Sequence, residues 1–150
     1  MLKKFVLFTI LVLLTSGCDY SPIHSIKTNN TEIKIISMSG DREINNYLSK
    51  ELKKKSKASS ERVDVIINTN FSKRILAKDT KSFATDYELQ VIGNFELKKG
   101  DKSKSFKIIE KFRYKNLNDN YEQKNYEEMI KLNLAKIIIS KLNLRINNFK

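Results

Sequence analysis

Residues 85–114 read TDYELQVIGNFELKKGDKSKSFKIIEKFRY, and this stretch decides the fold. Tyr87, Leu89, Val91, Phe95 and Leu97 share one parity, with Gly93 interrupting, so a strand with one apolar face is predicted over residues 85–97. Lys98-Lys99-Gly100-Asp101-Lys102 supplies the glycine that a tight hairpin connection needs. A further strand is predicted as far as Tyr114, with Phe106, Ile108, Phe112 and Tyr114 in alternation. Glu110 breaks that alternation, which points to a bulge or an edge.

Upstream, Val63, Val65, Ile67 and Phe71 share a parity with Thr69 between them, so Arg62–Leu76 reads as a long strand. Residues 55–61 form a polar loop before it. Ile44, Leu48 and Leu52 recur every four residues with Tyr47 beside them, the pattern of an amphipathic helix ending in the 53–57 region. Lysines suit that last turn because the helix dipole is negative there. Asp41 is placed to cap the helix, after a turn at Ser39-Gly40-Asp41. A first strand is predicted over Glu32–Met38 from the alternation of Ile33 and Ile35. Downstream, residues 116–120 form a loop rich in capping residues, and Asn120 with Gln123 has the spacing of a capping box. The last helix carries Tyr126, Ile130, Leu134, Ile137, Ile138 and Leu142, and ends near residues 144–147.

The order is strand, helix, strand, strand, strand, helix. The expected fold class is α+β: a four-stranded mixed sheet covered on one face by two amphipathic helices, the simplest way to bury these apolar faces. The other face carries Lys, Asn, Thr and Ser, and should meet water or a polar partner.

The first thirty residues set the compartment. Lys3 and Lys4 precede an apolar run from Phe5 to Leu14, broken only by Thr9, and Thr15-Ser16-Gly17 leads into Cys18. Positive, apolar and small-residue regions in that order are those of an export signal. The run is too short to span a bilayer, which takes about 20 helical residues. Cys18 is the only cysteine, and the segment resembles a bacterial lipoprotein signal, in which such a cysteine is acylated and becomes the new N-terminus. The expected organisation is a signal peptide at 1–17, a lipidated tether at 18–31 and a single domain at 32–150. Several acyl chains would hold the domain on a membrane, at about 0.8 kcal/mol per buried CH₂. Asp19 resembles the inner-membrane retention signal of enteric lipoproteins, which leaves inner and outer membrane both open.

Composition narrows the chemistry. The chain has 150 residues with 29 Lys and Arg against 17 Asp and Glu, a formal charge of +12. Removing Lys3 and Lys4 with the signal leaves 27 against 17, or +10. Lys, Ile and Asn dominate the chain, the bias of AT-rich coding, so part of the charge is compositional. One Cys and one His exclude a disulfide framework and clustered-histidine zinc chemistry. His24 falls in the tether, and Glu127-Glu128 sit where acidic side chains favour a helix dipole. There is no Gly-rich phosphate loop and no cofactor motif, so no enzyme and no cofactor are expected. The export signal, and the lack of a Lys/Arg-Gly-aromatic strand motif, argue against nucleic acid.

Several segments together resemble the LPS-assembly lipoprotein family (LptE). They are Gly17-Cys18-Asp19-Tyr20-Ser21-Pro22-Ile23, Ala77-Lys78-Asp79-Thr80 through Thr85-Asp86-Tyr87-Glu88-Leu89, Lys111-Phe112-Arg113-Tyr114 followed by Asn118-Asp119, and Glu128-Met129-Ile130 with Lys141-Leu142. The resemblance implies a four-stranded sheet with two helices and a non-enzymatic role. The family member plugs the lumen of an outer-membrane LPS-transport β-barrel, assists its assembly and contacts lipopolysaccharide (LPS). Carried onto this chain, the LPS-contacting residues are Lys81 and Lys124, with Lys78 and Arg74 as nearby substitutes. The hairpin lysines Lys98, Lys99 and Lys102 are further candidates for phosphate. The alternative is a periplasm-facing lipoprotein that binds a soluble ligand or murein without a barrel.

Overall fold

A computed structural model describes residues 31–149 apart from Asn118. The expected signal peptide, Cys18, His24 and most of the tether lie outside the described residues. The elements are β1 (Glu32–Gly40), α1 (Arg42–Lys55), β2 (Arg62–Lys78), β3 (Ala84–Lys99), β4 (Lys102–Lys115) and α2 (Asn120–Asn147). The four strands form one mixed sheet in the order β1-β2-β3-β4. β1 runs parallel to β2 through the α1 crossover, and β2, β3 and β4 are successive antiparallel neighbours. The expected α+β class and element order hold.

Alternation explains the sheet. Val63, Val65, Ile67 and Thr69 on β2, and Leu89, Val91, Phe95 and Leu97 on β3, are buried on one face. α1 brings Ile44, Leu48 and Leu52 to that face, and α2 brings Ile130, Leu134, Ala135, Ile138, Ile139, Leu142 and Ile146. α1 packs on β1 and β2, α2 lies over β3 and β4, and the two helices touch each other. Gly93 lies under α2, where a Cβ would come within 2.5 Å of the Phe95 ring. The β3–β4 turn is the two residues Gly100-Asp101, with Gly100 at φ +56°. Positive φ at the first central position is the glycine requirement of a type II′ turn.

Two local expectations are corrected, and the alternative of a bulge or an edge at Glu110 is resolved to an edge. Asp119, not Asn120, caps α2: its carboxylate accepts from the amides of Tyr121 at 2.7 Å and Glu122 at 2.9 Å. A charged acceptor at the positive helix end is the stronger cap. Gln123 instead reaches back to the Leu117 amide at 3.3 Å. Ile137 faces solvent and Ile139 takes the buried place, because the stripe runs through 130, 134, 138 and 142. β4 is an edge without a bulge: its register with β3 is unbroken from Asp86↔Lys115 to Lys99↔Lys102. Glu110 remains on the covered face because Lys141 of α2 meets it at 2.5 Å.

The strand-to-helix junction is tight. Gly40 belongs to β1, so the expected turn at 39–41 shrinks to the step from Gly40 into the cap Asp41. Asp41 accepts from the Ile44 amide at 3.0 Å and donates its own amide to the Thr69 carbonyl at 3.1 Å. Buried Thr69 donates to Asn45 Oδ1 at 2.8 Å, and Asn45 donates to the Ser39 carbonyl at 3.0 Å. Gly40 sits at φ +97°, and a Cβ there would lie 1.7 Å from the Thr69 carbonyl oxygen. Gly40→Ala is therefore expected to destabilise the fold by more than about 2 kcal/mol, from strain at positive φ plus the clash. Chemical denaturation checks this; an unchanged midpoint would mean that the junction is not close-packed.

Candidate functional site

β2 and β3 run on past the helices and end in a projecting loop, residues 79–83. Asp79 organises it: Oδ1 accepts from the amides of Lys81 and Phe83, both at 2.9 Å, and its own amide donates to the Phe83 carbonyl at 2.9 Å. The loop closes with Ser82 at φ +67°. Its tip holds Phe83, 67% exposed, with Ile75 and Leu76 exposed on the strand below. Lys78 and Lys81 stand beside them, and neither takes part in an ion pair among the described residues.

The start of α2 lies at the same end of the sheet. The chain leaving β4 is tied to the base of the projection by the Asn116 amide on the Thr85 carbonyl, at 2.7 Å. α2 begins at Asn120, with Tyr121 and Lys124 exposed in its first turns. Glu127 anchors this end: one carboxylate oxygen accepts from Lys73 at 2.6 Å, from Gln123 at 2.9 Å and from the Tyr114 hydroxyl. Burial pushes the Glu127 carboxyl up, and the hydrogen bonds from Lys73, Tyr114 and Gln123 outweigh it and leave it below its ordinary value. Burial, with the Glu127 bond second, raises the Tyr114 phenol. Tyr114 stacks on Tyr87 at 5.5 Å, and the Lys73 ammonium sits 4.1 Å over the Tyr87 ring. Glu127 is thus a tie between helix and sheet.

The uncovered sheet face holds a second constellation. Arg74, Glu88 and Arg113 are direct cross-strand neighbours on β2, β3 and β4. Glu88 Oε1 accepts from Arg74 Nε at 2.9 Å and from Arg74 Nη2, and Oε2 accepts from Arg113 Nε at 3.0 Å. Lys111 Nζ lies 3.6 Å from Oε1. The hydrogen bonds from Arg74 and then Arg113 lower the Glu88 carboxyl from 4.5 to about 2, against the opposing effect of desolvation. Glu88 has no exposed surface, yet its cover is a thin layer of its own cationic partners and not a packed core.

The four expected LPS-contacting residues are therefore not one cluster. Lys78 and Lys81 share the projection. Lys124 stands on the helix over the covered face at the same end. Arg74 points from the opposite face and is already paired with Glu88. Glu88 and Arg113 were not anticipated as site residues. They sit in quoted motifs, but only the strand register reveals that they meet Arg74. Among the described residues, no group of three or more His, Cys, Asp or Glu is placed to hold a metal ion. None of the described helices is long and apolar enough to cross a membrane.

No family model and no curated protein matches the sequence. Solved structures do share the fold. The rare lipoprotein B from Shewanella oneidensis aligns with a TM-score of 0.56 at 15% identity, over 78% of this chain and 99% of that one. An uncharacterized lipoprotein B from Nitrosomonas europaea aligns with a TM-score of 0.52 at 14% identity, over 80% of this chain and 86% of that one.

The low Glu88 value fixes a sign for acid stability. A carboxyl depressed on folding contributes stability that is complete above its unfolded value and is lost as pH falls through the folded one. That window runs from 4.5 down to about 2. Across it, the melting temperature of the wild type is expected to fall more steeply than that of Glu88→Gln. Parallel curves would show that Glu88 gains no charge stabilisation on folding.

Proposed function

We propose that this protein is a non-enzymatic, lipid-anchored envelope lipoprotein of the LPS-assembly type. In this reading Cys18 carries the acyl chains and the domain hangs on the periplasmic side of the outer membrane. It is the partner of an outer-membrane LPS-transport β-barrel, helping to assemble the barrel and to pass LPS to the outer leaflet. The observation that carries the reading is the projecting end of the sheet. Phe83, Ile75 and Leu76 are exposed there beside Lys78 and Lys81, with Tyr121 and Lys124 across from them on α2. LPS joins acyl chains to phosphates and acidic sugars, and an apolar tip flanked by lysines that form no ion pair among the described residues complements both parts.

Two further facts support it. The fold is that of two structures described as bacterial lipoproteins. A large barrel lumen is polar, and Asn68, Asn70, Asn94 and Lys107 give the uncovered sheet face a polar part beside its Ile66, Ile92 and Ile109. The alternative of a soluble-ligand or murein binder calls for a concave pocket. The depression over Ile66, Asn68, Asn94 and Lys107 is open to solvent and not enclosed.

Affinity purification of the tagged full-length protein from gently solubilised envelopes should bring down a large β-barrel together with LPS. Recovery of the protein alone would end the proposal. Cys18→Ser should move the protein from the membrane pellet to the soluble fraction after a carbonate wash, and continued sedimentation would contradict acylation. Lys81→Glu combined with Lys124→Glu should lower LPS retention by roughly tenfold with the melting temperature unchanged, since charge-assisted contacts to phosphate become repulsive. Equal retention at matched salt would remove both lysines from the contact.

A further inference from the structure

A carboxylate with no exposed surface is unexpected on a sheet face that no helix covers. Glu88 is that group, and the cations above it outnumber it. Arg74, Arg113 and Lys111 against one carboxylate leave an excess of +2. Asp86, the next acidic residue on this face of β3, stands opposite Lys115 in the register, so it does not cancel that excess. A guanidinium has five N–H donors in a fixed fork. The bonds to Glu88 use two donors of Arg74 and one of Arg113. Both side chains still present large surfaces to solvent, 55% for Arg74 and 74% for Arg113.

We infer that Glu88, Arg74 and Arg113 form an oxyanion clamp on the uncovered sheet face, with a phosphomonoester as its ligand. Glu88 is the template: it holds the inner edges of two guanidinium groups and leaves their outer donors directed at solvent. Ordering two long side chains in advance removes much of the entropy that free arginines lose on gripping an anion. A phosphomonoester carries a charge of about −1.5 to −2 at pH 7, which matches the excess, whereas a sugar carboxylate carries half as much. Several acceptor oxygens suit two forks better than one point charge. The clamp is separate from the lysines of the projection and does not rest on the barrel-partner reading. The phosphate could be free or part of a phosphorylated saccharide.

The test uses the full-length protein in detergent micelles, titrated with inorganic phosphate, glucose 1-phosphate and glucuronate at matched ionic strength. The readout is the arginine Nε–Hε resonances. Saturable shifts of Arg74 and Arg113 are expected with both phosphates, and glucuronate should bind roughly tenfold more weakly. Tighter binding of the sugar phosphate than of phosphate would assign the ligand to a saccharide, and equal binding to the free ion. Glu88→Gln separates a clamp from a mere patch of charge. It makes the surface more cationic, so a patch would bind phosphate more tightly, whereas a clamp that has lost its template binds more weakly. Arg113→Lys keeps the charge and alters only an exposed side chain, so it reports even if Glu88→Gln does not fold; it should weaken binding by roughly tenfold. Absence of saturable shifts, tighter binding by folded Glu88→Gln, or unchanged binding by Arg113→Lys overturns the inference. Lys81→Glu with Lys124→Glu should leave these titrations unaltered. A clamp that fails while the barrel still co-purifies refutes the clamp alone, and the converse refutes only the barrel partner.

Discussion

One sheet has to satisfy two unlike surroundings, and the alternation of side chains along β2 and β3 is what allows it. Residues 63, 65, 67, 89, 91, 95 and 97 meet α1 and α2, and their neighbours along the strands, Glu88 apart, keep some surface in water. Each buried aliphatic side chain contributes on the order of 1.5–3 kcal/mol, so this one face supplies most of the drive to fold. A slip of one residue in register would invert both faces together. The register is consequently strict between β3 and β4, and between β2 and β3 it departs from regularity only beyond Ile75, where the helices no longer cover the strands.

Where α2 begins and passes α1, charged groups fix its position over the apolar seam. Glu127 joins Lys73 and Tyr114 from two different strands. Lys131 reaches Asp41 at 2.9 Å and Glu43 at 2.8 Å, so α2 is also tied to the cap of α1. Burial lowers the Lys131 ammonium and those two carboxylates outweigh it, leaving it above its ordinary value. Its ammonium also lies 4.9 Å over the Phe71 ring. Partly exposed ties of this kind add at most about 1 kcal/mol apiece, less than the apolar stripe. Their effect is geometric: they set the rotation of α2, and with it the presentation of Tyr121 and Lys124 at the projecting end.

The strands were legible because a period of two leaves little choice. Tyr87 through Leu97 could bury only one way, and Ile44, Leu48 and Leu52 likewise. The end of α2 was harder. Three successive isoleucines, 137–139, offer several helical stripes, and only the packing of α2 on the sheet, with Ile138 over Gly93, selects Ile138 and Ile139 over Ile137. The capping residue shifted by one because Asp119 and Asn120 are both good caps by type. Glu88 and Arg113 stayed out of sight for a deeper reason. Each looks like a solvated strand charge, and their meeting with Arg74 depends on which strands are neighbours, which local periodicity does not encode. Glu127 shows the same limit: the dipole accounted for its place near a helix start, but its three hydrogen-bonded partners come from the register of distant strands and from its own helix.

The surplus of lysine has a structural use that bears on how the charge is read. A four-stranded open sheet has two free edges, each a template for pairing with another chain. β1 is the shorter, at nine residues, and its pairing with β2 is interrupted between Ile35 and Ser37, which breaks the line of hydrogen-bonding groups an intruding strand would need. β4 is long and regular, and it carries Lys104, Lys107, Lys111 and Lys115. Lysine on an edge strand opposes a second copy of itself by repulsion, so part of the positive balance keeps this domain from adding strands. Apart from Lys111, which also faces Glu88, those charges need no polyanionic partner to account for them. The cations that do ask for one are the lysines of the projection, which take part in no ion pair among the described residues, and the cations over Glu88, which exceed the charge they cover.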